Sequence, residues 1–576
     1  MRGMRSTENE NPRYATLKEA RRLCMSYSIF AVTMPEMFDA ESTVENPLAR
    51  CLLADPESDG GICTDFLTEA TSRFEEDDSI KDALVGAVEQ LSQDLARLTM
   101  NDNYKPYVMG LRNVVRYPKL VTAITQSPYF LPTGVAAQNV ETTTLLGPFF
   151  RLSPMQPEVA LNYFPPAHMA DKNYIVNAQN SLRMTLQTHQ AELFDIANAM
   201  VKAGKESRER ILDWFALTVN VNHKRRAMRV DPKTVSSDGL MINVTAILDQ
   251  LCDPFIDATF SKIDRVDVNY LRRNPRVTIQ DETKINADQK TSDSFYEDKV
   301  DGTNNFISEI FFLTVAAHHY GTEAANTQLE QKRKQVKYME KELARYEAER
   351  AKYASDPRYL QAFEERVRRF KADVDRAMGI VYATQGVLLD ELVQARSMQF
   401  MRFVIVWLLR LATGQNLPKE SLKLPLPEQE PEIFKCLPEY FLEDIVDNFK
   451  FITQNMPHII TSTQCDELVN ICITFLSSSD YIKSPYLKSG LVTILASGVW
   501  PSHRNSRGVL GDLLNGSTFA HKHLLHALMK FYIECESTGT HTQFYDKFNI
   551  RYEIDQIIKC IWPNSIYREN LAKEAR

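Results

Sequence analysis

Glycine is scarce in this chain. Its 576 residues include 20 glycines, about half the usual share, which argues against a turn-rich β architecture and in favour of helices. Cysteine shows no pattern: nine are scattered, no two form a CxxC, and the odd count points to reduced thiols serving as small core residues in the cytosol or nucleus. The strongest hydrophobic run, FVIVWLL at 403–409, is far short of the ~20 residues that cross a bilayer. The opening MRGMRSTENENPRY has no apolar stretch of the kind a secretory leader needs. There is no large excess of one charge either. With 67 basic and 75 acidic residues the net charge is −8, which supports solubility and gives no general attraction to nucleic acid or to anionic membrane. The expectation is a soluble intracellular protein that binds neither nucleic acid nor membrane.

Reaction signatures are missing too. No GxxxxGK[ST], GxGxxG, GxSxG or HExxH occurs. HKHLLH (521–526) sets His523 and His526 three residues apart, but no cysteine or carboxylate lies nearby at ligand spacing, so no metal is expected. His318 and His319 sit in the apolar run FFLTVAAHHYG and are expected to be structural. No catalytic residue and no cofactor is predicted.

What the chain has is helical periodicity almost throughout. ATLKEARRLCMSYSIFAV places Leu17, Leu23, Cys24, Tyr27 and Ile29 at three- and four-residue spacing, and SIKDALVGAVEQLSQDLARL repeats this with Ile80, Leu84, Val88, Leu91 and Leu95. Further helices are predicted at 178–203, 206–222, 239–262, 304–319, 378–414, 437–454, 465–477, 485–498, 519–535 and 551–561. Many helices of this length, joined by short turns and without a βαβ rhythm, predict an all-α fold. The chain is also longer than one hydrophobic core supports, so an armadillo/HEAT-like α-solenoid is favoured over a globular bundle.

Three segments stand apart. Residues 327–381 are rich in Glu, Lys, Arg and Ala, with thin apolar positions (Val336, Met339, Leu343 and Tyr346, then Leu360, Phe363, Val367, Phe370 and Val374) on either side of SDPR. They predict a projecting charged helical hairpin with a narrow seam. TLLGPFFRLSPMQPEVALNYFP (144–165) is too apolar for a linker and too rich in proline for one helix; it predicts a stiff buried joint. HKRRAMR (223–229) follows the helix RERILDWFALTVNVN. It is read either as neutralising an acidic neighbour such as DRVD (264–267) or as a surface for an acidic partner.

Taken in order, LLGPFFRLSP, SRERILDWFALTVNVNHKRRAMR, SSDGLMINVTAILDQLCDPFID, KIDRVDVNYL, NNFISEIFFLTVAAHHYG, the charged hairpin and GTHTQFYDKFNIRYEI resemble the core region of the ubiquitin chain-elongation factors, the U-box type of ubiquitin ligase. The resemblance runs from about residue 100 onward. It divides the chain into a disordered N-terminus (1–13), a divergent helical region (14–143) and a partial elongation-factor core (144–576).

The resemblance implies an α-solenoid, residence in cytoplasm and nucleus, and ubiquitin chain elongation in proteasomal degradation. It implies as partners an AAA-type segregase ATPase, ubiquitin-like-domain shuttle proteins, ubiquitylated substrates, and a ubiquitin-conjugating enzyme held through a U-box. The sequence as given ends at IYRENLAKEAR without that domain, so the expectation is no transferase activity for these residues alone; a non-catalytic adaptor is the alternative. By position, Leu17, Leu23, Tyr27, Phe30, Leu84 and Leu91 are the candidate docking residues for ubiquitin-like domains. The same apolar positions would also serve as ordinary core. Gly147, Pro148, Phe149, Asn222, His223, Arg225 and Arg226 match the family signature without an assigned role.

Overall fold

The computed structural model describes residues 12–38, 45–76, 78–279, 281–501, 505–537 and 544–574. Most of the expected disordered N-terminus, residues 1–11, lies outside the described residues. Among these, the fold is all-α, with no strand and a single isolated bridge between Lys284 and Pro438. The longer helices are α1 (Pro12–Thr33), α2 (Thr64–Ser72), α3 (Asp78–Leu95), α4 (Lys105–Val114), α5 (Pro118–Gln126), α6 (Lys172–Lys202), α7 (Lys205–Val221), α8 (Asp238–Cys252), α9 (Phe306–Ala317), α10 (Ala324–Ala348), α11 (Pro357–Leu388), α12 (Glu391–Thr413), α13 (Tyr440–Asn455), α14 (Asp466–Ser477), α15 (Pro485–Val499), α16 (Thr518–Ser537), α17 (Phe544–Ile561) and α18 (Ser565–Glu574).

The described residues form two compact units, one within 1–247 with 368–383 and the other within 248–367 with 384–576. In the first, α3, α5 and α7 pack in succession, while α4 lies on α6. In the second, α12, α14, α16 and α18 make one row and α13, α15 and α17 another. Within these rows each helix touches the one two places further on. This is the two-layer stacking of solenoid repeats, in which neighbours bury what one helix pair cannot.

Two predicted helices are shorter than periodicity suggests. The predicted 239–262 helix stops at Cys252, two residues before Pro254. The predicted 378–414 helix is two: α11 ends at Leu388, and Asp390 caps α12 by accepting from the Leu392 amide. Gly414 closes α12 at φ 69°, the left-handed conformation that favours glycine. α12 is long and apolar enough to cross a membrane, yet most of it is buried and Arg402 pairs with Glu467 at 3.1 Å; it packs as a core helix.

The first half of the 144–165 joint, Thr144–Met155, is packed inside the first unit, while Pro157, Glu158 and Asn162 beyond it are exposed. Leu145, Leu146, Phe149, Phe150 and Leu152 are buried, and Phe150 lies against Trp214 and Phe215. Its irregular backbone is satisfied by side chains. Ser92 donates to the Leu145 carbonyl at 2.7 Å, and Asn243 donates to those of Phe150 and Leu152 at 2.8 and 2.9 Å. Gly147 is required by close approach, since a Cβ there would stand 1.9 Å from the Val140 carbonyl oxygen.

The charged hairpin forms as α10 and the start of α11. No residue from 330 to 367 is buried, and the predicted seam positions in that range are half-buried between exposed ones. Its tip is closed by an Arg350–Glu364 ion pair and a Tyr353–Phe363 stack at 4.5 Å. α9 passes into α10 through a π-helical turn, His318–Glu323.

Candidate functional site

The exposed apolar residues of α1 form the clearest candidate surface. Only Ile29 of this helix is buried. At about 100° per residue, Leu23, Tyr27, Phe30 and Met34 fall within about 60° of one another on the side facing away from Ile29. Tyr27 is 58% exposed, and the stripe continues into the turn after the helix with exposed Met37 and Phe38. Leu17 is exposed about a third of a turn away from the stripe. α1 is held in place by Ile29, by an Arg21–Asp65 ion pair of 3.2 Å, and by a bond from Arg73 to the Ser26 hydroxyl.

The other two predicted docking residues are elsewhere. Leu84 and Leu91 are each 1% exposed, on the face of α3 that builds the core. Periodicity could not separate them from the α1 residues because both helices have apolar spacing, and only the packing tells which face is covered. Met34, Met37 and Phe38 were missed because Pro35 ends the helical pattern there. Beside α3 and α5 lies an open groove of about 690 Å³ lined by Phe74, Val85, Gly86 and Pro128. Its rim lysines are neutralised locally, Lys119 by Glu75 and Lys81 by Asp78.

Five of the seven signature residues are buried. Gly147, Pro148 and Phe149 belong to the buried joint. Asn222 donates to the Thr218 carbonyl and the Ser236 hydroxyl and accepts from the Ser236 amide at 2.9 Å. Buried Arg225 donates to the Ser236 carbonyl at 2.7 Å and pairs with Asp238. Exposed His223 contacts the Asn220 carbonyl, and Arg226 is half-buried. The acidic neighbour of Arg225 is thus Asp238, whereas the DRVD carboxylates find other partners: Asp264 with Arg410 and Lys419, Asp267 with Arg273.

One buried cluster has the makings of a catalytic triad and is closed to that use. His318 contacts Asp249 at 2.7 Å through Nε2 and Ser397 at 3.5 Å through Nδ1. All three are buried, His318 stacks on Phe400, and the Ser397 hydroxyl accepts from Asn448. Burial lowers the His318 pKa, but Asp249, with Glu323 and Asp444 adding to it, outweighs this and leaves it raised. Burial, with Asp444 and Asp447 adding to it, pushes the Glu323 carboxyl up to about 8; Asn448 donates to it at 3.0 Å. His319 meets Asp444 at 2.8 Å and stacks on Tyr440. The cluster knits α8, α12 and α13 around the π-turn, and no solvent-facing nucleophile belongs to it.

Three of the buried cysteines also lack nucleophilic character. Burial raises Cys436 and Cys535 to about 11 and Cys465 to about 12, so at neutral pH they are thiols. No group of residues able to hold a metal occurs among the described residues.

Residues 146–576 match the family described as "Ubiquitin elongating factor core". The chain is 36% identical to Ubiquitin conjugation factor E4 of Schizosaccharomyces pombe over 99% of this chain and 55% of that protein. It is 27% identical to the E4 ubiquitin-protein ligase UFD2 of Saccharomyces cerevisiae, over 96% of this chain and 59% of the relative. It is 25% identical to the Probable ubiquitin conjugation factor E4 of Arabidopsis thaliana, over 85% and 51%. The chain spans about half the length of these relatives.

Proposed function

Since the chain belongs to the ubiquitin elongating factor core family, we propose that it serves ubiquitin chain elongation as a scaffold, holding a ubiquitylated substrate and partner proteins while a charged conjugating enzyme delivers the next ubiquitin. One observation supports a positional mechanism: the side chains best arranged for chemistry, His318, Asp249 and Ser397, are sealed in the core. Acceleration would then come from proximity, raising the effective concentration of the thioester near the acceptor lysine. The α1 stripe would receive the ubiquitin-like domain of a shuttle protein, an AAA-type ATPase would act on the same substrates, and the work would take place in cytoplasm and nucleus.

A chain-extension assay tests this. Monoubiquitylated substrate, activating enzyme, conjugating enzyme and ubiquitin are combined with these 576 residues, alone and joined to a U-box. Longer chains only with the joined protein are expected. Extension by neither overturns the reading. Extension by the 576 residues alone would show that they engage the conjugating enzyme directly.

A further inference from the structure

The basic run after α7 has a place in the structure but no place in the proposed function. Its base is rigid. Asn222 and Arg225 are tied to Ser236 and Asp238, and the Ser236 hydroxyl donates to the Ala137 carbonyl at 2.6 Å. This frame fixes a short corner, residues 223–235, whose outer side chains point to solvent.

The corner carries Lys224, Arg226, Arg229 and Lys233 against one carboxylate, Asp231. Lys224, Arg229 and Lys233 are exposed and have no ion-pair partner among the described residues. Nearby carboxylates are occupied: Asp231 accepts from the Lys233 amide, Glu141 from the Ser237 amide at 2.6 Å, and Asp238 holds Arg225. Among these cations stands Met228, fully exposed. A fully solvated methionine gains nothing for the fold, and its flexible thioether adapts to varied apolar contacts. The surplus of positive charge is local, in a chain whose net charge is −8.

We propose that this corner binds an acidic peptide segment of a partner protein, one with carboxylates on either side of an apolar side chain. The carboxylates would meet Lys224, Arg229 and Lys233, and the apolar residue would cover Met228. Individually such exposed pairs are weak, but together they steer and select an oppositely charged partner. Single-stranded nucleic acid fits less well, because 223–235 has no Phe, Tyr or Trp for stacking, only the imidazole of His223, and no long basic stripe. An anionic membrane also fits less well, since one methionine supplies little apolar anchor. The proposal is independent of the docking role given to α1.

Fluorescence anisotropy on the whole chain tests it. The probe is a fluorescein-labelled peptide of alternating Glu and Asp around a central Leu, set against its Gln/Asn counterpart. The acidic peptide is expected to bind, more weakly as salt rises, and its counterpart is not. Changing Lys224, Arg229 and Lys233 together to Glu should weaken binding by at least roughly tenfold with an unchanged unfolding midpoint, since all three are exposed. Met228→Ser should weaken it less. Absence of binding, equal binding by the charge-reversed protein, or tighter retention of the same corner on phosphatidylserine vesicles or single-stranded RNA would each overturn the proposal.

Discussion

His189 Nε2 lies 2.8 Å from the carbonyl oxygen of Phe149 and donates to it, closing the buried joint against α6. Full burial pushes this imidazole down to about 4 from 6.5, so the native protein holds it neutral. In the unfolded chain the same histidine takes up a proton from about pH 6.5 downward. Its contribution to stability is therefore complete above that pH and declines as pH falls toward 4, by up to about 1.4 kcal/mol per pH unit. A series of thermal melts between pH 7 and 4 should show a decline in midpoint that is shallower in His189→Asn. Equal slopes in the two proteins would count against the assignment.

Glu323 has the opposite sign. Its carboxyl is raised to about 8 by burial beside Asp444 and Asp447, while the unfolded group titrates near 4.5. The native state keeps a proton that the unfolded chain has released, so stability falls as pH rises from about 4.5 to 8. The raised His318 contributes in the same direction. Glu323→Gln mimics the protonated acid and should be more stable than the parent at pH 8 and closest to it near pH 5. Urea titrations at the two pH values measure this, and a variant with the parent's pH dependence would contradict it.

Neighbours in the basic run should respond differently. Arg225→Ala leaves Asp238 without its buried cation and should cost about 3–5 kcal/mol. Lys224→Ala, at an exposed position, should change stability by less than about 0.5 kcal/mol. Denaturant midpoints for the pair decide whether the run is divided between a structural and a free half.

On α1, Leu23→Asp with Tyr27→Asp should leave the melting temperature nearly unchanged, because both side chains are exposed. Affinity for a shuttle protein's ubiquitin-like domain should fall by at least roughly tenfold, as the loss of central interface anchors does. Leu84→Asp should instead unfold the first unit, since Leu84 is 1% exposed. Titration calorimetry beside thermal melts separates the two effects.

The all-α character and the charged hairpin were legible because helical spacing is a local property, repeated over many turns. The joint at 144–165 was legible as buried because apolar side chains and prolines coincide there. Two things were not. Whether an apolar stripe is covered depends on what packs on it, so Leu84 and Tyr27 look alike in sequence. The His318–Asp249–Ser397 cluster joins residues separated by 69 and 79 positions, which no local pattern records.

The π-turn at His318–Glu323 has a geometric effect on the arm that follows it. Such a turn is one residue accommodated within a helix, and one residue is about 100° of rotation. The insertion therefore sets the phase between the buried face of α9 and the seam along α10, where Val336, Met339 and Leu343 lie. A chain with one residue fewer at this point would keep every side chain of the arm and turn them all to a different compass bearing.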